Sequence, residues 1–255
     1  GLLAYGTGDS FTDALELVMP LVLEDPGAVR IADLDRDGLG DLVVVEAGHV
    51  QWSRGLVGGG FGEPHLIPRP EGARFDAVLN ITDLNGNGSQ DLVWAGEDNI
   101  FVMDIAGSAA RGLLRLVDNG LGYRTEISYE ASARLGLAAE AAGEPWSHHL
   151  PVSMPVVVAM VRHFADGTES RHQALAVADG LWDPQERRFA GFLVTRRTQV
   201  SARPESTLVL ETHLHGGLGA ERSLRGKAFL TRQRDGNDRL LSEASTQWLL
   251  QPIAG

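Results

Sequence analysis

The chain has 255 residues, 43% of them hydrophobic, with no cysteine and a net charge of −12. Such a chain can bury a core in one or two domains, but it forms no disulfide and does no thiol chemistry. No apolar run reaches the ~18 residues of a membrane-spanning helix, so no membrane span is expected. The charge is uneven: residues 1–107 carry 18 acids against 5 bases, and residues 108–255 carry 16 acids against 17 bases. The switch falls at the small residues Ala106-Gly107-Ser108-Ala109-Ala110, which implies a joint between domains 1–107 and 108–255. The acidic half would repel phosphates, and no basic patch interleaved with aromatics follows it. Nucleic acid is therefore not an expected partner. The chain opens at Gly1 without the basic and apolar stretches of a secretion signal, and is read as an internal segment or a reduced relative of something longer.

The first informative element in chain order is the loop Asp33-Leu34-Asp35-Arg36-Asp37-Gly38-Leu39-Gly40-Asp41. It recurs 50 residues on as Asp83-Leu84-Asn85-Gly86-Asn87-Gly88-Ser89-Gln90-Asp91. Each copy sets side-chain oxygens at loop positions 1, 3, 5 and 9 and a glycine at position 6. Short side chains at alternate positions of a tight turn converge on a hard, oxygen-seeking cation, and the position 7 carbonyl adds a donor. The candidate calcium ligands are thus Asp33, Asp35, Asp37, Leu39 and Asp41, then Asp83, Asn85, Asn87, Ser89 and Asp91. Four carboxylates against two make the first loop the stronger expected site. Asp, Asn and Gly also dominate turns without metal, but two copies in register favour the cation. Loop position 12 is Val44 or Trp94, not the bidentate Glu of an EF-hand. Apolar runs follow each loop, so each loop opens a strand. A fixed period of this size marks a repeated β unit.

The repeats resemble FG-GAP/VCBS-type β-propeller blades, and Gly58-Gly59-Gly60-Phe61-Gly62-Glu63-Pro64 is similar to the hairpin of that family. The resemblance covers about residues 28–104. Two repeats make at most two blades, whereas a closed propeller takes about four to eight.

Beyond residue 107 the pattern is again β, with strands expected over 155–161, 171–178, 189–200, 206–215, 225–234 and 240–249. Turns are expected at Asp166-Gly167-Thr168 and Asp235-Gly236-Asn237-Asp238, the second pairing the last two strands. Only about Ala131–Ala142 reads as a helix. The run Val117-Asp118-Asn119-Gly120-Leu121-Gly122-Tyr123-Arg124-Thr125-Glu126-Ile127-Ser128-Tyr129 resembles the segment after the propeller in the B component of insecticidal Tc toxin complexes. The same segment occurs in SpvB-like and RHS (YD-repeat) toxins. Gly180-Leu181-Trp182-Asp183, Arg187 to Phe192 and Glu221 to Lys227 continue the likeness in the family's order. Where relatives carry a Tyr- and His-rich strand, this chain has Ala174-Leu175-Ala176-Val177-Ala178.

The resemblance implies an all-β chain: a partial propeller followed by a β-rich, RHS-shell-like region. It implies a secreted, non-catalytic segment that docks on a channel component, encloses a toxic cargo and has other toxin-complex subunits or the rest of a longer chain as partners. The alternative is a calcium-dependent adhesion or carbohydrate-binding module, for which the blocks after residue 117 have no use. No Rossmann, Walker, zinc-protease or nucleophile-elbow motif occurs. His213 and His215 share a strand face but lack a third metal ligand, so both are expected to be solvent-facing or packed on the sheet. The arginines are expected to pair across strands with Glu169, Glu186, Glu211 or Glu221.

Overall fold

The computed structural model describes residues 2–3, 10, 13, 15–16, 29–46, 48–73, 78–107, 112–164 and 170–250. The fold is all-β, as expected. Two compact units divide it: Gly1–Asn85 with Ser89–Gly112, and Gly86–Gly88 with Leu113–Gly255.

The first unit opens with the short antiparallel pair β1 (Leu2–Leu3) and β2 (Leu15–Glu16). Next comes a four-stranded sheet of β3 (Val29–Ala32), β4 (Asp41–Val45), β5 (His49–Ser53) and β6 (His65–Pro68), paired in chain order. A three-stranded sheet of β7 (Val78–Thr82), β8 (Asp91–Ala95) and β9 (Ile100–Asp104) comes after it. All pairings are antiparallel, and each acidic loop connects the first strand of its sheet to the second. The central strands β4 and β8 read as continuous apolar runs, and their first four residues are buried. A strand covered on both faces has no solvent side to favour alternation. One core holds both sheets of this unit: Leu34, Val43, Val50, Trp52, Leu92 and Trp94 are all at most 8% exposed. The expected Gly58–Gly60 turn is present, closed by Leu56 and Gly60 at 3.1 Å.

The second unit is an eight-stranded antiparallel meander in strict chain order. It comprises β10 (Leu116–Asp118), β11 (Arg124–Ala131), β12 (Pro155–His163), β13 (Ser170–Asp183), β14 (Arg188–Val200), β15 (Leu208–Leu214), β16 (Ala228–Asp235) and β17 (Leu240–Ser245). The one α-helix described, α1 (Ser132–Ala141), falls where the sequence placed it. The last hairpin pairs Arg234 with Leu240, and Asp235 Oδ1 accepts the Asn237 and Arg239 N–H groups at 3.0 Å to shape the turn. Strand β17 stops at Ser245, short of Leu249, and the Ala228 carbonyl accepts the Trp248 indole N–H at 2.8 Å. The Asp166–Thr168 turn, Glu169 and residues 108–110 of the joint lie outside the described residues. No helix among the described residues is long and apolar enough to cross a membrane.

Charge is organised across this sheet. Arg196, Glu211, Arg232 and Glu243 stand directly opposite one another on β14 to β17. Arg196–Glu211 and Arg232–Glu243 both close to 2.7 Å. At the β13–β14 turn, Arg225 bridges buried Asp183 at 2.5 Å and Glu186 at 2.6 Å, while Arg222 reaches the other Glu186 oxygen at 2.9 Å. Backbone N–H groups of Glu186 and Gln185 and the Arg225 guanidinium hold the Asp183 carboxyl below its ordinary 3.8. Arg225 and Arg188 do the same for Glu186, and Arg196 and His213 for Glu211. His213 bonds Glu211 at 3.0 Å, and both His213 and His215 pack on Phe229, as expected of sheet-packed histidines.

A carboxylate whose folded pKa is depressed adds stability above its unfolded pKa and loses it as pH falls through the folded value. Acidification below about pH 4 should therefore loosen β13 to β16 specifically. Segment-resolved hydrogen exchange, corrected for intrinsic rate, should show protection of these strands falling between pH 5 and pH 3. Unchanged protection would mean that the ion pairs do not support the sheet.

Candidate metal centre in the repeated loops

Both loops adopt one backbone form. Positions 4 and 6 take left-handed angles in each copy, with φ of 62° and 91° at Arg36 and Gly38, and 70° and 87° at Gly86 and Gly88. The φ near 90° at position 6 is one that a residue with a Cβ adopts only under strain, so glycine suits it. In each copy the position 9 carboxylate accepts the N–H of position 2, Leu34 to Asp41 and Leu84 to Asp91, both at 3.0 Å. That bond fastens the start of the loop to the strand it launches.

In the first loop Asp33, Asp35 and Asp37 each bring a carboxylate oxygen within 4.8 Å of the others. That is the spacing of oxygens that all touch one ion at ~2.4 Å, so the donor set suits calcium. Asp33 also accepts the Asp37 and Gly38 N–H groups at 3.1 and 2.9 Å, and Asp37 accepts that of Leu39 at 2.8 Å. These bonds fix the carboxylates in place. Asp41 stands apart from that cluster. It is fully buried and accepts three donors: Leu34 N–H, the Trp52 indole N–H at 2.9 Å and Gly55 N–H at 2.9 Å. Gly55 comes so close that a Cβ there would lie 2.6 Å from the Gly40 carbonyl oxygen. Leu39 is half-buried at position 7.

The second loop differs in ways its sequence only partly discloses. Val102 stands where Trp52 stands in the first repeat, and Ile105 where Gly55 stands. Asp91 is also fully buried, yet its Oδ1 meets no hydrogen-bond donor. Burial pushes its carboxyl above the usual 3.8 despite the Leu84 and Asn85 N–H groups, and Asp104 and Asp83 push it further. Asp91 lies directly opposite Asp104 on β9. Asn85 donates its amide to Asp104 at 3.0 Å, Asn87 is half-buried and Ser89 is buried.

Two residues at the centre were not among the candidates. Arg54 binds Asp35 at 2.7 Å. The residue 50 positions on is Asp104, which binds Asn85. Position 3 and the end of the third strand thus change together between copies, from Asp with Arg to Asn with Asp. The 50-residue period that exposes the loops would also have exposed this pair.

With these sites in view, comparison with known proteins places the chain. A family described as the insecticide toxin TcdB middle/N-terminal region matches residues 53–217. The chain belongs to that family. No curated protein sequence matches it. In fold, this TcdB-family chain is similar to the crystal structure of TcdB2-TccC3, at 20% identity over 83% of this chain and a TM-score of 0.69. It is likewise similar to the Tc holotoxin pore of Photorhabdus luminescens, at 20% identity over 88% of this chain and a TM-score of 0.74. It spans about 13% of the matched chain in each.

The two position 9 carboxylates of this TcdB-family chain should respond oppositely to neutralisation. In chelator at pH 7, Asp41→Asn should cost about 2–4 kcal/mol, because the new amide N–H faces donors in a buried site. Asp91→Asn should be neutral or stabilise by up to ~1 kcal/mol, because it keeps an acceptor for Leu84 and removes the repulsion with Asp104. Urea melts of the two variants check this, and equal losses would contradict the difference in donors.

Proposed function

We propose that this chain is a non-catalytic structural segment of a secreted Tc toxin complex, contributing propeller and shell strands. The observation that carries the reading is the family match over residues 53–217, which begins at the end of β5, takes in the whole second repeat and runs on past β15. In this reading the first unit supplies two FG-GAP/VCBS-like blades, with the domain joint near residue 107 and SpvB-like kinship in the region beyond it. Successive antiparallel meanders on one apolar core, Trp52 in one sheet and Trp94 in the next, support blades. Ile31, Leu66 and Ile100 are more than 60% exposed, which suits contact with further blades.

The second unit then supplies shell. Among the described residues few of this unit are fully buried, the apolar ones being Ala131, Val156, Leu181 and Leu224. A single sheet with two half-open faces suits a wall with cargo on one side and solvent on the other. The propeller would dock on the channel-forming component. The test is hydrogen exchange of the protein with and without a TccC3-type partner and a channel component. Strands β11 to β16 should gain protection with the TccC3-type partner and the first unit with the channel component. No change with either would remove the structural role.

Calcium belongs to the same reading, held by Asp33, Asp35, Asp37 and the Leu39 carbonyl, with the second loop as a further site. Crowded carboxylates disfavour one another's ionised form until a cation sits among them. Calcium at ~100 times its dissociation constant would add about 2.7 kcal/mol to folding. Thermal melts should show the melting temperature higher in calcium than in chelator, with Asp37→Ala losing most of that gain and Asn87→Ala less. Identical melts with and without calcium would leave these loops as plain acidic turns.

A further inference from the structure

We propose that Arg162 and Arg171 form a binding site for a small oxyanion, a carboxylate or a phosphate, on one face of the eight-stranded sheet. Arg162 on β12 lies directly opposite Arg171 on β13, and Thr125 on β11 lies opposite Arg162. Two residues along, Met160 pairs with Gln173, and Gln173 with Gln199 on β14. Side chains two residues apart on a strand share a face. These six residues line one cavity of about 60 Å³ with no acid among them.

Like charges placed directly opposite on an antiparallel pair destabilise it. Elsewhere in this sheet Arg124, Arg196 and Arg232 each meet a carboxylate. Neither Arg162 nor Arg171 has a carboxylate partner among the described residues. Among the described residues, the nearby acids of β10 and β11 point the other way. Asp118 and Glu126 share the opposite face with Arg124 and His163, where Arg124 binds Asp118 at 2.8 Å and His163 lies 3.4 Å from Glu126. Arg171 is also held in place, its guanidinium 5.7 Å from the Phe164 ring, which packs edge-on against Tyr123.

This face therefore offers a set of donors: two guanidinium forks, a hydroxyl and two amides. Each fork matches two oxygens of a carboxylate or phosphate, and a bound anion would cancel the repulsion between the arginines. The cavity suits one small oxyanion and leaves anything attached to it outside.

The test uses the whole chain with sodium phosphate and sodium acetate in separate titrations at constant ionic strength, read by NMR at the arginine Nε–H groups. Arg162 and Arg171 should shift together and saturate. Arg162→Gln and Arg171→Lys should each weaken binding about tenfold, the lysine because it lacks the fork, while Arg196→Gln should bind like the wild type. Saturation by acetate alone would assign a carboxylate, and by phosphate alone a phosphate. Arg162→Gln should also melt no lower than the wild type, since it removes one of two like charges. Failure of both anions to saturate, unchanged binding by Arg162→Gln, or a lower melting temperature for that variant would each overturn the proposal.

Discussion

The first unit depends on a buried carboxylate. Loop position 9 places an acid on the first residue of a central strand, and that acid catches the N–H at position 2 of its own loop. Without this bond, a nine-residue acidic loop has no reason to return onto the strand, since its other charges repel one another. Burying the carboxylate is costly unless donors surround it. Asp41 has three, from its own loop, from Trp52 and from Gly55, which is why a glycine and a tryptophan sit where they do. Asp91 keeps only the donors within its own loop, so the same architecture carries a raised pKa and an unmatched oxygen in the second copy.

The charges around the two loops reflect that difference. Arg54 supplies a permanent cation beside Asp35 in the first copy. The second copy replaces the arginine with Asp104 and the aspartate with Asn85, which adds negative charge next to an acid already short of donors. Carboxylate number, the measure available from the loop alone, favours the first copy as a cation site. Counted with Arg54 and Asp104, the second copy gathers no less negative charge than the first.

The eight-stranded sheet solves a different problem. A single sheet cannot hide its side chains in one core, so much of its specificity lies in side chains that remain half-exposed. One face carries the alternating ladder from Arg196 to Glu243, with its partners in strict cross-strand register. The knot of buried Asp183 with half-buried Arg225 and Glu186 anchors the β13–β14 turn. The cavity on the other face is lined by Arg162 and Arg171 with no acid among its lining residues. The ladder and this cavity lie on opposite faces of the sheet, which suits the proposed wall.

Local chemistry made much of this legible. Alternation and apolar runs located the strands, the Asp235–Asp238 turn paired the last two, and the helix near Ala131–Ala142 stood out by composition. The 50-residue period disclosed both loops, because turn geometry needs particular residues at particular offsets. Tertiary structure decided what the offsets cannot carry. Asp33 and Asp41 look alike in a loop pattern, but one converges with Asp35 and Asp37 while the other turns inward to Trp52 and Gly55, residues 11 and 14 positions away. The pairing of Arg162 with Arg171 depends on strand register, which is set by hydrogen bonding along the whole meander. A sequence determines which groups exist and how they alternate. Which of them meet, and which are left without a partner, is settled only when the strands align.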